Sequence, residues 1–288
     1  MERAFRDYKP EGEVWITLAN GEYYPDTLPE ACRLYAPVLV EFGRLLKGAH
    51  SSIDLFTSIM DTSTPWMRTQ LCRVFKKYVS PQTPVEMLKR KSDARRISAQ
   101  FGPSFRGVVD VQQRFAGRPV PDEALCAVLW EYKDRGRKGY DLTERLFEIL
   151  RDAHTNCVIS GPERAGKDVL LGTVFAQYPK PDRPVDFVIS EGAKILAIGL
   201  ARYDSDRGGA QEDDRIGQYR EVAQEILGYA NANRLPGLKV IFVNDGPGLL
   251  LGSMWADYAY IEELFPGRVK VVTLRMVPER ITAEWLRS

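Results

Sequence analysis

The chain has 288 residues, of which 44% are hydrophobic and 27% are charged, and its formal net charge is +1. A chain of this length and composition can bury one large hydrophobic core or two smaller ones. The near-neutral balance excludes a protein that is polycationic throughout, but it allows local basic surfaces that bind nucleic acid.

The first part of the chain predicts helices. Apolar residues recur at three- and four-residue spacings in LPEACRLYAPVLVEFGRLLKGAH (28–50), and DLTERLFEILRDAH (141–154) begins with an aspartate suited to cap a helix. Between them, one helix should end at Ser80-Pro81, and a second, capped by Thr83, should begin near Pro84. Residues 101–121 are rich in glycine and proline and predict a loop. We therefore expect a mainly helical region over residues 1–150.

Strands and helices alternate after residue 155. NCVIS (156–160) predicts a short strand or the lead-in to a helix, and PERAGKDVLLGTVFAQY (162–178) predicts a helix. VDFVIS (185–190) and KILAIGLARY (194–203) predict a hairpin with its turn at EGA. A helix at 212–233, a strand at 238–245, a helix at 254–265 and a strand at 268–277 should follow. This order predicts an α/β domain over residues 151–288, with a mixed β-sheet flanked by helices.

Several functional classes are poorly supported by the sequence. No apolar run approaches the roughly 20 residues that a membrane span needs, and MERAFRDYKPEGE at the N-terminus lacks a signal-peptide core. We therefore expect a soluble cytoplasmic protein. The four cysteines are scattered and there are two histidines, which argues against zinc sites, disulfide frameworks and histidine-based catalysis.

The segment GPERAGKD (161–168) has the spacing of a phosphate-binding P-loop, G-x-x-x-x-G-K. The magnesium-binding Ser or Thr that should come next is replaced by Asp168, whose carboxylate would repel a triphosphate. Two other interpretations remain open. The segment could be a solvated helix start, or Arg164 and Lys167 could meet DNA phosphates or the active site.

A dense group of charged residues follows the second strand of the hairpin, between Arg202 and Arg215. Gly208 and Gly209 within it allow a close backbone approach. Asp186 stands near the start of the first strand. Carboxylates that converge at the end of a hairpin can hold a divalent cation, which activates water and stabilises charge on a scissile phosphate. Residues 212–214 could instead simply cap the following helix.

The order RAGKD, PVDFVI, hairpin, ILAIGLARYDSDRGG, QYREVAQEI and LKVIFVNDGPG resembles the catalytic core of type II restriction endonucleases of the PD-(D/E)XK superfamily. KKYVSPQTPVEMLKRK is also similar to the N-terminal helical segment of some of these enzymes. The resemblance covers the layout of residues 155–280. It implies a site-specific deoxyribonuclease with a restriction-endonuclease-like core, which uses Mg²⁺ to cleave double-stranded DNA.

The family places an acid and a lysine two residues apart on the second hairpin strand, where this chain has Gly199 and Ala201. Three explanations remain open. The acid could have migrated to Asp204, Asp206 or Glu212, with Arg202 or Lys167 in the role of the lysine. Glu191 or Lys194 could be the partners under another strand register. The chain could also be catalytically inactive and only bind DNA. Strand alternation groups Arg202 with the core side, and a bulge near Gly199 would return it to the active face.

Basic residues are concentrated between Trp66 and Arg96, and KDRGRK (133–138) adds a basic loop. Such a run is often only a solvated surface, but beside a nuclease-like core it suits contact with DNA phosphates. Cleavage of both strands of a palindrome favours a homodimer. The expected Mg²⁺ ligands are Asp186 and Asp204. The expected catalytic residues are Asp186, Asp204, Glu212, Arg202 and Lys167, and the expected DNA contacts are Arg73, Lys76, Lys77, Lys89, Arg164, Arg207 and Arg215.

Overall fold

The computed structural model describes residues 3–19, 25–133, 137–162, 168–205 and 210–288, and for residues 137–140 and 210–215 it describes only the helical backbone. The chain divides into two compact units. We call residues 21–135 the helical unit, and residues 1–20 together with 136–288 the sheet unit. This division differs from the expected segments 1–150 and 151–288. The reason is that Phe5, Tyr8, Leu146 and Phe147 belong to the same hydrophobic core as the sheet.

The helical unit is built from helices α2 to α8. In the sheet unit, a 3₁₀-helix at Phe5–Glu11 and helix α1 (Gly12–Trp15) precede them along the chain. The helices of the helical unit are α2 (Leu28–Gly48), α3 (Ser52–Met60), α4 (Pro65–Tyr78), α5 (Val85–Leu88), α6 (Ala94–Phe101), α7 (Val108–Ala116) and α8 (Glu123–Glu131), with 3₁₀-turns at Lys91–Asp93 and Gly102–Ser104.

Two local expectations for the helical unit are wrong. Residues 101–121 are not a loop throughout, because Val108, Val111 and Phe115 have helical spacing and pack into the core as part of α7. Helix α5 is a single turn, and its N-cap is Pro84. Thr83 shares a buried hydrogen bond of 2.7 Å with the Ser80 hydroxyl instead of capping the helix.

The rest of the sheet unit alternates strands and helices. Its elements are α9 (Arg137–Ala153), β1 (Val158–Ser160), β2 (Val169–Leu170), α10 (Leu171–Val174), β3 (Pro184–Val185), β4 (Phe187–Glu191), β5 (Lys194–Tyr203), α11 (Ala210–Ala232), β6 (Lys239–Asp245), α12 (Met254–Leu264), β7 (Val269–Val272), α13 (Val277–Arg280) and α14 (Ala283–Arg287), with 3₁₀-turns at Pro247–Leu250 and Leu274–Met276.

The main sheet has five strands in the order β1-β4-β5-β6-β7. Strands β1, β4 and β5 pair antiparallel, and β6 and β7 extend the sheet in parallel with β5. The hairpin is confirmed, since Glu191 pairs with Lys194 across a two-residue turn in which Gly192 has a φ of +59°. The mixed sheet flanked by helices is therefore the architecture of the sheet unit.

The two faces of the sheet pack against different helices. Gly199 pairs with Phe187, whose ring packs edge-on at 6.0 Å from Phe147 of α9. The next residue of β5 lies beside Phe242, whose ring stacks at 4.5 Å on Tyr219 of α11. Because successive strand residues point to opposite faces, α9 covers one face and α11 the other.

Two expected elements of the sheet unit are shorter than the sequence suggests. The predicted helix at 162–178 is replaced in its described part by β2 and the single turn α10. Strand β2 pairs antiparallel with β3, and the backbone N–H groups of Leu171 and Gly172 donate to Arg183 and Pro181. This long-range pairing overrides the local helical pattern. The last strand, β7, ends at Val272, before the 3₁₀-turn. Among the described residues, no helix combines the length and apolar character required to cross a bilayer.

Glu225 of α11 anchors the segment that leads into β3 and β4. Its carboxylate accepts hydrogen bonds from Tyr178 at 3.0 Å, from Lys180 at 2.6 Å and from both Nε and Nη2 of Arg183 at 3.1 and 2.6 Å. Partial burial acts to raise the pKa of Glu225, but the hydrogen bonds from Arg183, Lys180 and Tyr178 outweigh it and lower the pKa to about 2.

We expect Glu225→Gln to lower the free energy of unfolding at pH 7 by about 2 kcal/mol. A depressed pKa stabilises the fold above the ordinary carboxyl pKa, and that contribution is lost as the pH falls through about 2. Urea denaturation at a series of pH values should therefore show the difference shrinking from pH 5 toward pH 2. The control is Glu148→Gln, an exposed glutamate of α9. A difference that does not vary with pH would contradict this assignment.

Candidate active site

Asp186 lies immediately before β4, at the end of the strand far from the hairpin turn. Its Oδ2 accepts a hydrogen bond of 2.7 Å from the backbone N–H of Ala201, and its own N–H donates to the Gly199 carbonyl at 3.1 Å. The side chain is half-buried. Within the described part of the chain, Oδ1 accepts no hydrogen bond and so remains available to a ligand.

A second carboxylate, that of Asp168 in the segment before β2, acts electrostatically on Asp186. Burial raises the pKa of Asp186, and the negative charge of Asp168 raises it further, although the N–H of Ala201 acts in the opposite direction. Asp168 is exposed. Two carboxylates that repel each other in this way would be neutralised by a divalent cation. The sequence interpretation treated Asp168 only as an obstacle to a P-loop and missed its effect on Asp186.

Asp204 follows β5 and is almost completely buried, with 3% of its surface exposed. Its Oδ1 accepts a hydrogen bond of 2.8 Å from Nε of Arg202. Its Oδ2 accepts longer hydrogen bonds from the Tyr258 hydroxyl at 3.3 Å and from Asn244 Nδ2 at 3.4 Å. Both carboxylate oxygens are thus engaged within the protein, an arrangement that suits a residue which positions Arg202.

The Tyr219 ring lies 6.0 Å from the ring of Tyr258, which donates to Asp204. Burial raises the pKa of Tyr219, and the charges of Asp204 and Asp186 add to the rise, whereas Arg202 and a hydrogen bond with Asn244 oppose it. The carboxylates of Asp186 and Asp204 thus both raise the pKa of Tyr219 in α11. Asn244 is fully buried, and its Oδ1 has no hydrogen-bond partner among the described residues. Neither Tyr219 nor Asn244 was singled out from the sequence.

Gly199 stands at one of the positions where the resemblance implies an acid. A Cβ atom at Gly199 would lie 1.9 Å from the ring of Phe187, which is itself completely buried. No side chain fits there unless Phe187 moves. Gly199 and Ala201 share a face of β5 opposite to that of Leu200 and Arg202, as alternation predicts. The bulge in this hairpin lies between Ile189 and Ser190 and so does not affect that alternation.

The alternative partners Glu191 and Lys194 lie at the opposite end of β4 from Asp186. They pair with each other beside the hairpin turn, and Glu191 forms an ion pair of 2.7 Å with Arg287 of α14. The structure does not bring them to the candidate site, so this alternative is wrong. Its premise was a different strand register, whereas the observed register pairs Phe187 with Gly199 and Glu191 with Lys194.

Several expected site residues cannot be placed. Arg164, Lys167, Asp206 and Arg207 lie outside the described residues. Glu212 and Arg215 belong to the first turns of α11, but their side chains also lie outside the description. Their expected roles in catalysis and DNA binding stay predictions.

The described geometry does not favour a P-loop at GPERAGKD. Such a loop leads into a helix whose N-terminal N–H groups bind phosphate, whereas Asp168 leads into strand β2. Asp245, a possible acidic partner at the end of β6, is fully buried. Its carboxylate accepts hydrogen bonds from the N–H groups of Thr17, Gly246 and Leu274 at 2.6 to 2.9 Å. Asp245 therefore holds the segments around Thr17 and Leu274 against the end of β6, and its carboxylate is not available to a nucleotide.

The four described cations that were expected to contact DNA have different environments. Arg73 donates to Gln70 and lies over the Tyr132 ring at 5.2 Å. Lys89 is paired with Glu86 at 2.5 Å. Lys76 is half-buried and Lys77 is exposed. Of the four, Lys77 offers its charge most freely.

Comparison with known proteins identifies no relative, since no protein-family model, curated protein or solved structure matches the chain. Among the described residues, no group of three or more His, Cys, Asp or Glu side chains is placed to hold a metal ion. The function is therefore inferred from the residues of the site themselves.

Proposed function

We propose that the chain is a Mg²⁺-dependent endonuclease that hydrolyses phosphodiester bonds of double-stranded DNA at a specific sequence. The observation that carries the proposal is the environment of Asp186 at the end of the hairpin. Asp186 has one oxygen without a described partner, and its pKa is raised by burial and by the charge of Asp168. Arg202 directly follows Ala201, whose backbone N–H donates a hydrogen bond to Asp186.

The acids fit a magnesium site because Mg²⁺ prefers oxygen ligands and is commonly held by one or two carboxylates. Asp186 and Asp168 would hold the ion. When bound, the ion would activate water and neutralise charge on the scissile phosphate. Asp204, expected from the sequence to be a metal ligand, is better suited to hold Arg202, because its two oxygens already accept hydrogen bonds.

Arg202 is suited to contact the phosphate. Asp204 holds it through Nε at 2.8 Å, and its terminal nitrogens have no partner in the described part of the chain. The side chain is about one third exposed, at 34%. A guanidinium group fixed in this way can donate two parallel hydrogen bonds to phosphate oxygens and stabilise the charge that develops during hydrolysis.

The test is digestion of a supercoiled plasmid by the purified full-length chain with Mg²⁺, with Mn²⁺ and with EDTA. We expect discrete linear fragments with either metal ion and none with EDTA, and sequencing of the ends should give a single motif. A palindromic motif cut in both strands would agree with the expected homodimer. Absence of cleavage with both ions would contradict the proposal.

The second candidate is a catalytically inactive protein that binds a specific DNA sequence. Gly199 favours it, because the position of the expected acid has no room for a side chain. The same plasmid experiment separates the two functions when it is paired with a gel-shift assay in EDTA. Specific binding without cleavage under any metal condition would support the second candidate.

A further inference from the structure

An open groove of about 450 Å³ lies in the helical unit, and four of its eight lining residues are cations. Its volume is within the range of pockets that bind ligands. The charged lining residues come from the end of α4, from α7 and from the segments on either side of α7. They are Lys77, Arg106, Arg114 and Arg118. Apart from Lys77, none of them was expected from the sequence to contact DNA.

The arginines of the groove are held in place by neighbouring groups. Arg106 donates to the Tyr78 carbonyl at 2.7 Å and lies 3.3 Å from Asp110. Arg114 binds the same carboxylate through Nε at 2.8 Å. Among the described residues its terminal nitrogens have no partner, so they are available to a bound anion. Holding these side chains in advance lowers the entropy cost of binding.

Arg118 is anchored separately, by Asp122 at 2.8 Å. Asp122 also caps α8 by accepting the N–H of Leu125 at 3.0 Å. Partial burial acts to raise the pKa of Asp122, but the Arg118 guanidinium and this N–H outweigh it and hold the pKa below its usual value. Asp122 therefore stays charged, and it fixes Arg118 over the Tyr78 ring at 5.9 Å.

The groove has an excess of positive charge. Its four cations face two carboxylates, Asp110 and Asp122, which leaves an excess of two positive charges. Lys77 is exposed and has no ion pair or hydrogen bond within the described part of the chain. Leu125 and Val128 form an apolar wall beside these charges. A ligand that combines anionic groups with less polar surface matches this lining.

We propose that this groove binds successive phosphate groups of a DNA strand, with Lys77, Arg106, Arg114 and Arg118 as the contacting side chains. The arginines are held by two carboxylates, one for Arg106 and Arg114 and another for Arg118. Separately anchored cations suit a chain of phosphates better than one small anion. The choice of DNA as the source of the phosphates rests on the proposed function.

The experiment measures binding of a fluorescein-labelled duplex by anisotropy in EDTA, so that cleavage plays no part. The test variant is Arg114→Gln with Arg118→Gln. The matched control is Arg44→Gln, which removes an exposed, carboxylate-paired arginine of α2 outside the groove. Lys77→Gln is a second test variant, because loss of this unpaired side chain does not endanger folding. Circular dichroism checks the fold of each variant.

We expect the double variant to bind at least about tenfold more weakly at 0.1 M salt. Its log–log salt dependence should be shallower by about 1.8, since each lost phosphate contact removes about 0.9 from the slope. Lys77→Gln should reduce the slope by about 0.9, and Arg44→Gln should leave both quantities unchanged. Wild-type affinity and slope in the double variant and in Lys77→Gln would overturn the proposal.

A competition arm distinguishes DNA from a free phosphate ligand. Inorganic phosphate should displace the duplex no better than chloride of equal ionic strength. Displacement by phosphate at far lower concentration would instead assign the groove to a small anion and overturn the DNA assignment. Because binding is measured in EDTA, the result for the groove does not depend on whether the chain cleaves DNA. If the groove variants bind more weakly and the wild type does not cleave DNA, the nuclease proposal is wrong but the proposal that the groove binds DNA is supported.

Discussion

Asp186→Asn is expected to abolish Mg²⁺-dependent plasmid cleavage while it leaves folding and DNA binding nearly unchanged. The asparagine keeps the size of the side chain and can still accept the Ala201 N–H. It removes the charge that would hold the metal ion, a contribution of several kcal/mol to transition-state stabilisation. We therefore expect the cleavage rate to fall by about a thousandfold or more, measured from the initial loss of supercoiled plasmid.

A further variant tests whether Asp168 is the second carboxylate that holds the metal ion. Asp168→Asn should raise the Mg²⁺ concentration required for cleavage, because Asp168 is the proposed second ligand and its charge contributes to the raised pKa of Asp186. Asp152→Asn, at an exposed position of α9, is the matched control and should cleave normally. Near-wild-type cleavage by Asp186→Asn would contradict the assignment of the active site to this end of the hairpin. If Asp168→Asn keeps full activity while Asp186→Asn does not, Asp204 and Glu212 become the candidates for the second metal ligand.

Gly199→Ala is expected to lower the free energy of unfolding by about 3 kcal/mol, an unusually large effect for one added methyl group. The new Cβ would lie 1.9 Å from the buried Phe187 ring, which packs in turn against Phe147. Urea denaturation of the full chain measures the loss.

The matched control for this prediction is Gly217→Ala in α11. A Cβ at Gly217 would meet no atom within 4 Å, and alanine favours a helix interior over glycine by up to about 1 kcal/mol. We therefore expect this variant to be slightly more stable than the wild type. If Gly199→Ala were as stable as Gly217→Ala, the Phe187 ring would have to be free to move aside.

Much of the secondary structure could be predicted from hydrophobic patterns. Helices α2, α9, α11 and α12 and strands β1, β4, β5 and β6 follow three- and four-residue spacings or short apolar runs. The failures have two physical causes. Strands β2 and β3 exist because they pair across a gap in sequence, and helix α7 was hidden by the glycines on either side of it.

The candidate site was predicted only where its residues lie at strand ends. Asp186, Arg202 and Asp204 stand at strand ends, and strand ends can be located from the sequence. Tyr258 and Asn244 reach Asp204 from α12 and β6, more than 35 residues away. Such contacts depend on how helices pack on the sheet, which no local pattern specifies.

The contact between Phe187 and Gly199 also limits how β5 could be changed by engineering. A carboxylate introduced at Gly199 alone would collide with the Phe187 ring before it could bind anything. The aromatic side chain would first have to be shortened, and that step would leave a cavity against Phe147. Neither single step is favourable, so the conversion requires both changes together. Directed libraries at this strand should therefore vary the two positions as a pair.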